Sequence, residues 1–132
     1  MANVLYPKAK EAFIGGDLAL DTDNIKAVLV DTATYTYSAA HDFLDDIPAG
    51  ERVATSANLT TKTITDGTFD SDDLVFTSVT GDPSEALVLY QDSGAEGTSR
   101  LIAFIDTATG LPVTPDGTNI NVTVNASGWF SL

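Results

Sequence analysis

Apolar and polar positions follow one another in short blocks along this chain, and three blocks are continuous rather than alternating: residues 27–30 (AVLV), 86–90 (ALVLY) and 101–105 (LIAFI). A strand with one wet face shows a period of two, so an unbroken apolar run predicts a strand covered on both faces. Residues 24–30 are therefore expected as a central strand. Residues 86–90 and 101–105 are expected as a buried antiparallel hairpin, with the polar, Gly-containing stretch 91–99 as its mobile tip. Residues 119–124 (NINVTV) do alternate, with Ile120, Val122 and Val124 against Asn119, Asn121 and Thr123, as in a strand with one buried face.

Weaker signals fill the gaps. Residues 52–55 and 62–65 read as short strands, and Asp66-Gly67 is a tight-turn pair leading into Phe69, so these segments predict a meander. Residues 74–76 form a strand between the break at 70–73 and the turn Gly81-Asp82-Pro83. Residues 106–117 hold two Pro and two Gly and predict a long connection. A last strand at 129–132 is expected to pair with 119–124. Residues 2–14 show near-helical spacing of Leu5, Ala9, Ala12 and Phe13, with Pro7 suited to a first turn and Gly15-Gly16 as a stop. A capped helical turn is expected at 39–44. The sum predicts a mainly β, single-domain antiparallel β-sandwich or small barrel of about seven to eight strands with one or two short helices. Residues 1–16 form an N-terminal helix or contact arm, and residues 17–132 a single β domain.

Composition agrees. The chain has 132 residues, enough for one core, and 43% of them are hydrophobic, which excludes wholesale disorder. Of 19 acidic residues 15 are Asp, and there are 18 Thr, both biases against helix interiors. Only 6 Lys and Arg stand against those acids, for a net charge of -13, so the chain lacks the clustered cations that nucleic acid requires. Apolar runs are too short to span a bilayer, and the first ten residues lack the apolar stretch of a secretory signal; the expectation is a soluble protein made in a cytoplasm. The absence of Cys excludes disulfides, thiolate nucleophiles and cysteine-held metals.

Candidate chemistry is sparse. His41 is the single histidine, without a nucleophile elbow anywhere in the chain, and both phosphate-cradling patterns are missing. The reading is therefore non-enzymatic, with no cofactor. Asp70, Asp72 and Asp73 are the candidate metal ligands, since hard cations take such oxygens, although their spacing departs from a calcium loop. Tyr35 and Tyr37 alternate with Thr34 and Thr36, either as an exposed aromatic strip or as half-buried strand residues. Residues 46–52 (DIPAGER) offer Ile47 and Pro48 as an interface loop or as an ordinary connection.

The stretches VLYPKAKEAFIGGDL, NIKAVLVDTATYTYSAAHDFLDDIPAGERVATSANLTTKTITDG and SEALVLYQDSGAEGTSRLIAFIDTATGLPVTPDGTNINVTV resemble small virion-associated structural proteins of tailed bacteriophages, over nearly the whole chain. The resemblance implies a protein of the phage head surface, assembled in the bacterial host cytoplasm. It implies a capsid decoration or cement protein that binds the major capsid protein and stabilises capsomer joints, as a homo-oligomer with a trimer favoured. Its capsid or subunit contact is expected at Val4, Leu5, Tyr6, Pro7, Lys8, Lys10 and Phe13, with Ile47 and Pro48. A tail or head-to-tail joining protein is the first alternative. The second is a calcium- or carbohydrate-binding surface module using Trp129, Tyr35 or Tyr37 and the Asp-rich loops. No nucleic acid and no membrane is expected as a partner.

Overall fold

In the computed structural model, which describes residues 3–132, the chain runs through β1 (Val4–Leu5), α1 (Pro7–Ile14), β2 (Ile25–Val30), β3 (Arg52–Thr55), β4 (Thr63–Thr65), β5 (Thr68–Asp70), β6 (Leu74–Phe76), β7 (Ala86–Gln91), β8 (Leu101–Ile105), β9 (Ile120–Val122) and β10 (Phe130–Ser131). Two 3-10 turns, Leu44–Asp46 and Ala49–Glu51, lie between β2 and β3.

The three continuous apolar runs occupy the middle of a five-stranded antiparallel sheet ordered β1-β8-β7-β2-β3. Ala27 to Val30, Ala86 to Tyr90 and all of β8 are buried, so both faces of these strands are covered. Each large side chain so buried contributes about 1.5–3 kcal/mol. Register follows the apolar pattern, with Val28 opposite Val88 and Val88 opposite Phe104. A shift between Leu89 and Tyr90 bulges the β7–β8 pair. Two smaller antiparallel sheets, β10-β5-β4 and β6-β9, complete the strand set. Among the described residues no sheet closes on itself, so the barrel alternative is set aside and the mainly β, layered reading stands.

Four local expectations change. The helix begins at Pro7, because a residue before proline is pushed out of the helical region; Tyr6 is extended (φ -66, ψ 131) and its N–H bonds the carbonyl of Ile102 at 3.0 Å, continuing β1. The helical turn expected at 39–44 is displaced to Leu44–Asp46, because the N–H of Leu44 is taken by the carbonyl of Ser99 and Phe43 bridges to Arg100. The meander breaks up: β3 joins β2 in the large sheet, while β4 and β5 form their own hairpin. Finally, β10 pairs with β5 rather than with β9, which pairs with β6. Gly128 allows this. It has φ +89, and a Cβ there would sit 2.8 Å from the carbonyl oxygen of Phe69, so only glycine lets the chain come this close to β5.

Candidate functional site

The helix is fixed on the sheet by its smallest residues. Ala9 and Ala12 are buried where α1 packs on β8, which brings the two backbones close. Gly16 then ends the helix in a left-handed conformation (φ +79): its N–H bonds the carbonyl of Phe13 at 3.2 Å and that of Asp17 bonds Ala12 at 2.8 Å. Phe13 leans on Phe130 (ring centroids 6.3 Å) and Phe130 on Phe69 (5.7 Å), so three elements share one aromatic floor. β10 is tied down by the N–H of Trp129 to Phe69, the indole Nε1 of Trp129 to Ser71 Oγ (2.8 Å), and the N–H of Leu132 to Gly67.

Over this floor the molecule exposes apolar surface. Ile14 is 89% exposed, Leu132 67% and Ile64 52%. Two adjoining grooves connect them. One, of about 420 Å³, is lined by Leu5, Lys10, Phe13, Ile14, Ser131 and Leu132. The other, of about 130 Å³, runs past Phe13, Leu18, Leu20, Ile64, Phe130 and Leu132. This apolar face, on a chain of net charge -13, is the candidate site. Beside it, Lys8 pairs with Glu11 at 3.1 Å, whereas Lys10 and Asp17 make no ion pair among the described residues.

The sequence-derived contact residues divide. Leu5, Lys10 and Phe13 line the face, and Val4 lines a neighbouring groove together with Trp129 and Phe130. Pro7 is exposed and Lys8 half-exposed on the same helix. Tyr6 has no exposed surface, because its ring is covered by Tyr37 and its hydroxyl bonds Tyr35 at 2.7 Å; it belongs to the core rather than to a contact. Ile47 is likewise fully buried, its carbonyl accepting from Arg52 Nε, and Pro48 is exposed but lines neither groove of the face. The described part of residues 1–16 is thus no separable arm: β1 pairs with β8, and Tyr6, Ala9 and Ala12 are core. Residues 1 and 2, also part of that segment, lie outside the described residues.

The candidate metal ligands do not converge. Asp70 accepts from the N–H of Ser71, Asp72 from the hydroxyls of Thr60 and Thr61, and Asp73 from the N–H of Val124. Among the described residues, Asp42, Asp45 and Asp46 are the acidic side chains whose oxygens gather within 4.8 Å. Burial pushes the Asp46 carboxyl up, but hydrogen bonds from Asp42 and Phe43, with the nearby His41, hold it below the usual carboxylate range. His41 Nδ1 is bonded to the Tyr35 hydroxyl at 2.9 Å. Tyr35 and Trp129 are buried and Tyr37 half-buried, so they form no exposed strip. Tyr35 and Tyr37 do line an open cleft of about 430 Å³ with Thr32, Glu85, Phe104 and Pro112. No helix among the described residues is long and apolar enough to cross a membrane.

Ile14, Ile64 and Leu132 escaped sequence reasoning. The available signal was Ile14 itself, a large apolar residue placed one turn from Lys10 and beside Glu11 rather than in line with Ala9 and Ala12. Compared with known proteins, the chain matches no family model and no curated protein sequence.

Proposed function

We propose that the chain is a non-enzymatic structural protein of a tailed-phage virion, a decoration protein that binds the major capsid protein on the outer head surface. The reading is carried by the apolar face around Ile14, Leu132 and Ile64, on a molecule whose remaining surface is strongly acidic. Burying such a face stabilises a joint at about 25 cal/mol per Å² of apolar surface removed from water. Outward Asp-rich turns, such as those at 70–73 and 45–46, keep decorated particles mutually repulsive. The resemblance of the sequence to virion-associated proteins gives the context, and the face gives the means.

The test is the copy number of this chain relative to the major capsid protein in gradient-purified particles, measured by quantitative mass spectrometry. A ratio near one, or a simple fraction of it, supports decoration. A ratio of a few per cent moves the protein to the tail or neck, and absence from particles removes the structural reading.

A further inference from the structure

We propose that the turn Asp66-Gly67 is a site of spontaneous covalent modification, at which the folded protein converts Asp66 to isoaspartate while the fold protects the other Asp-Gly pair, Asp116-Gly117. The inference stands apart from the capsid reading and rests on the chemistry of the two turns.

An aspartate followed by glycine closes on itself more readily than other pairs, because no Cβ shields the next main-chain nitrogen. The Gly67 nitrogen adds to the γ-carbon of the protonated Asp66 carboxyl. The new C–N bond closes a five-membered imide, and the proton of the nitrogen leaves with the carboxyl OH as water. Water then adds back to one of the two ring carbonyls. Opening at the γ-carbon restores aspartate; opening at the α-carbon's carbonyl leaves the main chain running through Cβ and Cγ, with a carboxylate on Cα. One water leaves and one returns, so the step needs no co-reactant.

Both pairs are exposed, so exposure does not separate them. Hydrogen bonding does. The N–H of Gly117 donates to the Val79 carbonyl at 2.7 Å, and the N–H of Val79 donates to the Thr118 carbonyl at 3.1 Å, which locks the attacking nitrogen in place. Oδ1 of Asp116 accepts from the N–H of Thr118 at 3.1 Å and from its hydroxyl at 2.5 Å. These two bonds hold the Asp116 carboxyl below the usual carboxylate range, so it stays ionised and its carbon is a poor target. At the first pair, neither the Gly67 N–H nor the Asp66 carboxylate makes a hydrogen bond among the described residues. The turn also hangs from a weak support: β4 is the outer strand of its sheet, and all three of its residues are exposed.

The product would not fit the turn it forms in. Asp66 and Gly67 both have positive φ (51 and 79), the primed two-residue turn that sets Thr65 opposite Thr68. Isoaspartate adds one atom to the main chain inside that loop. The Gly67 carbonyl accepts the N–H of Leu132 at 2.9 Å, so the change reaches the end of β10 as well.

The test is to hold the folded full-length chain in heavy-oxygen water at mildly acidic pH, then digest it and map the peptides by mass spectrometry. The peptide carrying 66–67 is expected to gain heavy oxygen and to split into two chromatographic forms, while the peptide carrying 116–117 does neither. In the urea-unfolded chain both pairs should convert alike. Asp66→Gly keeps the primed turn, since Gly-Gly suits it, and should abolish the conversion; Asp66→Asn should speed it, losing ammonia in place of water. A folded chain in which 66 stays unchanged, or in which 116 converts as fast, overturns the proposal, and so does an unfolded chain that keeps the same preference. The converted fraction is expected to melt at a lower temperature than the unconverted one; equal melting overturns the coupling to β10.

Discussion

The phenol oxygen of Tyr6 lies 2.7 Å from that of Tyr35, and Tyr6 keeps no exposed surface. Tyr35 continues the chain to His41 Nδ1 at 2.9 Å, so a residue just before α1 is linked through a residue after β2 to the loop ahead of β3. Tyr37 packs on Tyr6 at 4.9 Å and on Phe104 at 6.0 Å, closing the cluster against β8.

Removing one hydroxyl from this pair is not equivalent to removing the other. Tyr35→Phe strands the Tyr6 hydroxyl in the core, a cost of about 1–3 kcal/mol, whereas Tyr6→Phe leaves Tyr35 its bond to His41 and costs about 0.5–1.5 kcal/mol. The double variant, with no orphaned group, should be more stable than Tyr35→Phe alone. Urea denaturation of the three variants checks the order.

The same pair sets an alkaline limit. Burial pushes Tyr35 up to about 12 from the ordinary 10.0, and burial together with the neighbouring Tyr35 raises Tyr6 further. A raised pKa means that the native state keeps protons the unfolded chain gives up. Stability is therefore intact below pH 10 and is lost as pH rises from there toward 12, by at most about 1.4 kcal/mol per pH unit for each phenol. Melting temperature measured against pH should fall across that window, and Tyr6→Phe/Tyr35→Phe should flatten the fall.

Arg52 ties three segments together. Its Nε donates to the Ile47 carbonyl at 2.8 Å, Nη2 to Leu44 at 3.1 Å, and Nη1 pairs with Glu96 at 2.5 Å. Glu96 is 59% exposed, so the ion pair is screened by water and Glu96→Gln should leave stability nearly unchanged. Arg52→Lys cannot reach both carbonyls with one fork and should cost about 1–3 kcal/mol. Equal losses in the two variants would mean that the ion pair, not the carbonyl clamp, secures the loop; chemical denaturation decides.

The parts of the fold legible in the sequence are those where local pattern decides. The runs at 27–30, 86–90 and 101–105 announced covered strands because a strand buried on both faces has no polar positions to alternate with. The 120–124 alternation and the Asp66-Gly67 turn are equally local, and both are present. Pairing is not local. Nothing in the periodicity of 129–132 says that Phe130 meets Phe69 instead of β9, or that β3 leaves its neighbours for β2, since any alternating strand fits any partner until the tertiary surroundings choose. The exposed apolar face was half legible for the same reason: Leu5, Lys10 and Phe13 belong to one segment, whereas Ile64 and Leu132 reach them only through β4, β5 and β10.

The pairing of Val4 with Phe104 makes the order of synthesis matter. While the chain emerges from the ribosome, β1 has no neighbour, and Ala9 and Ala12 have no sheet to rest on, until β8 has followed. β1 and α1 are thus made well before the strand that holds them, and most of the large sheet assembles from strands far apart along the chain. A protein built this way folds slowly for its size, and it carries the apolar residues of β1 and α1 uncovered until β8 is made.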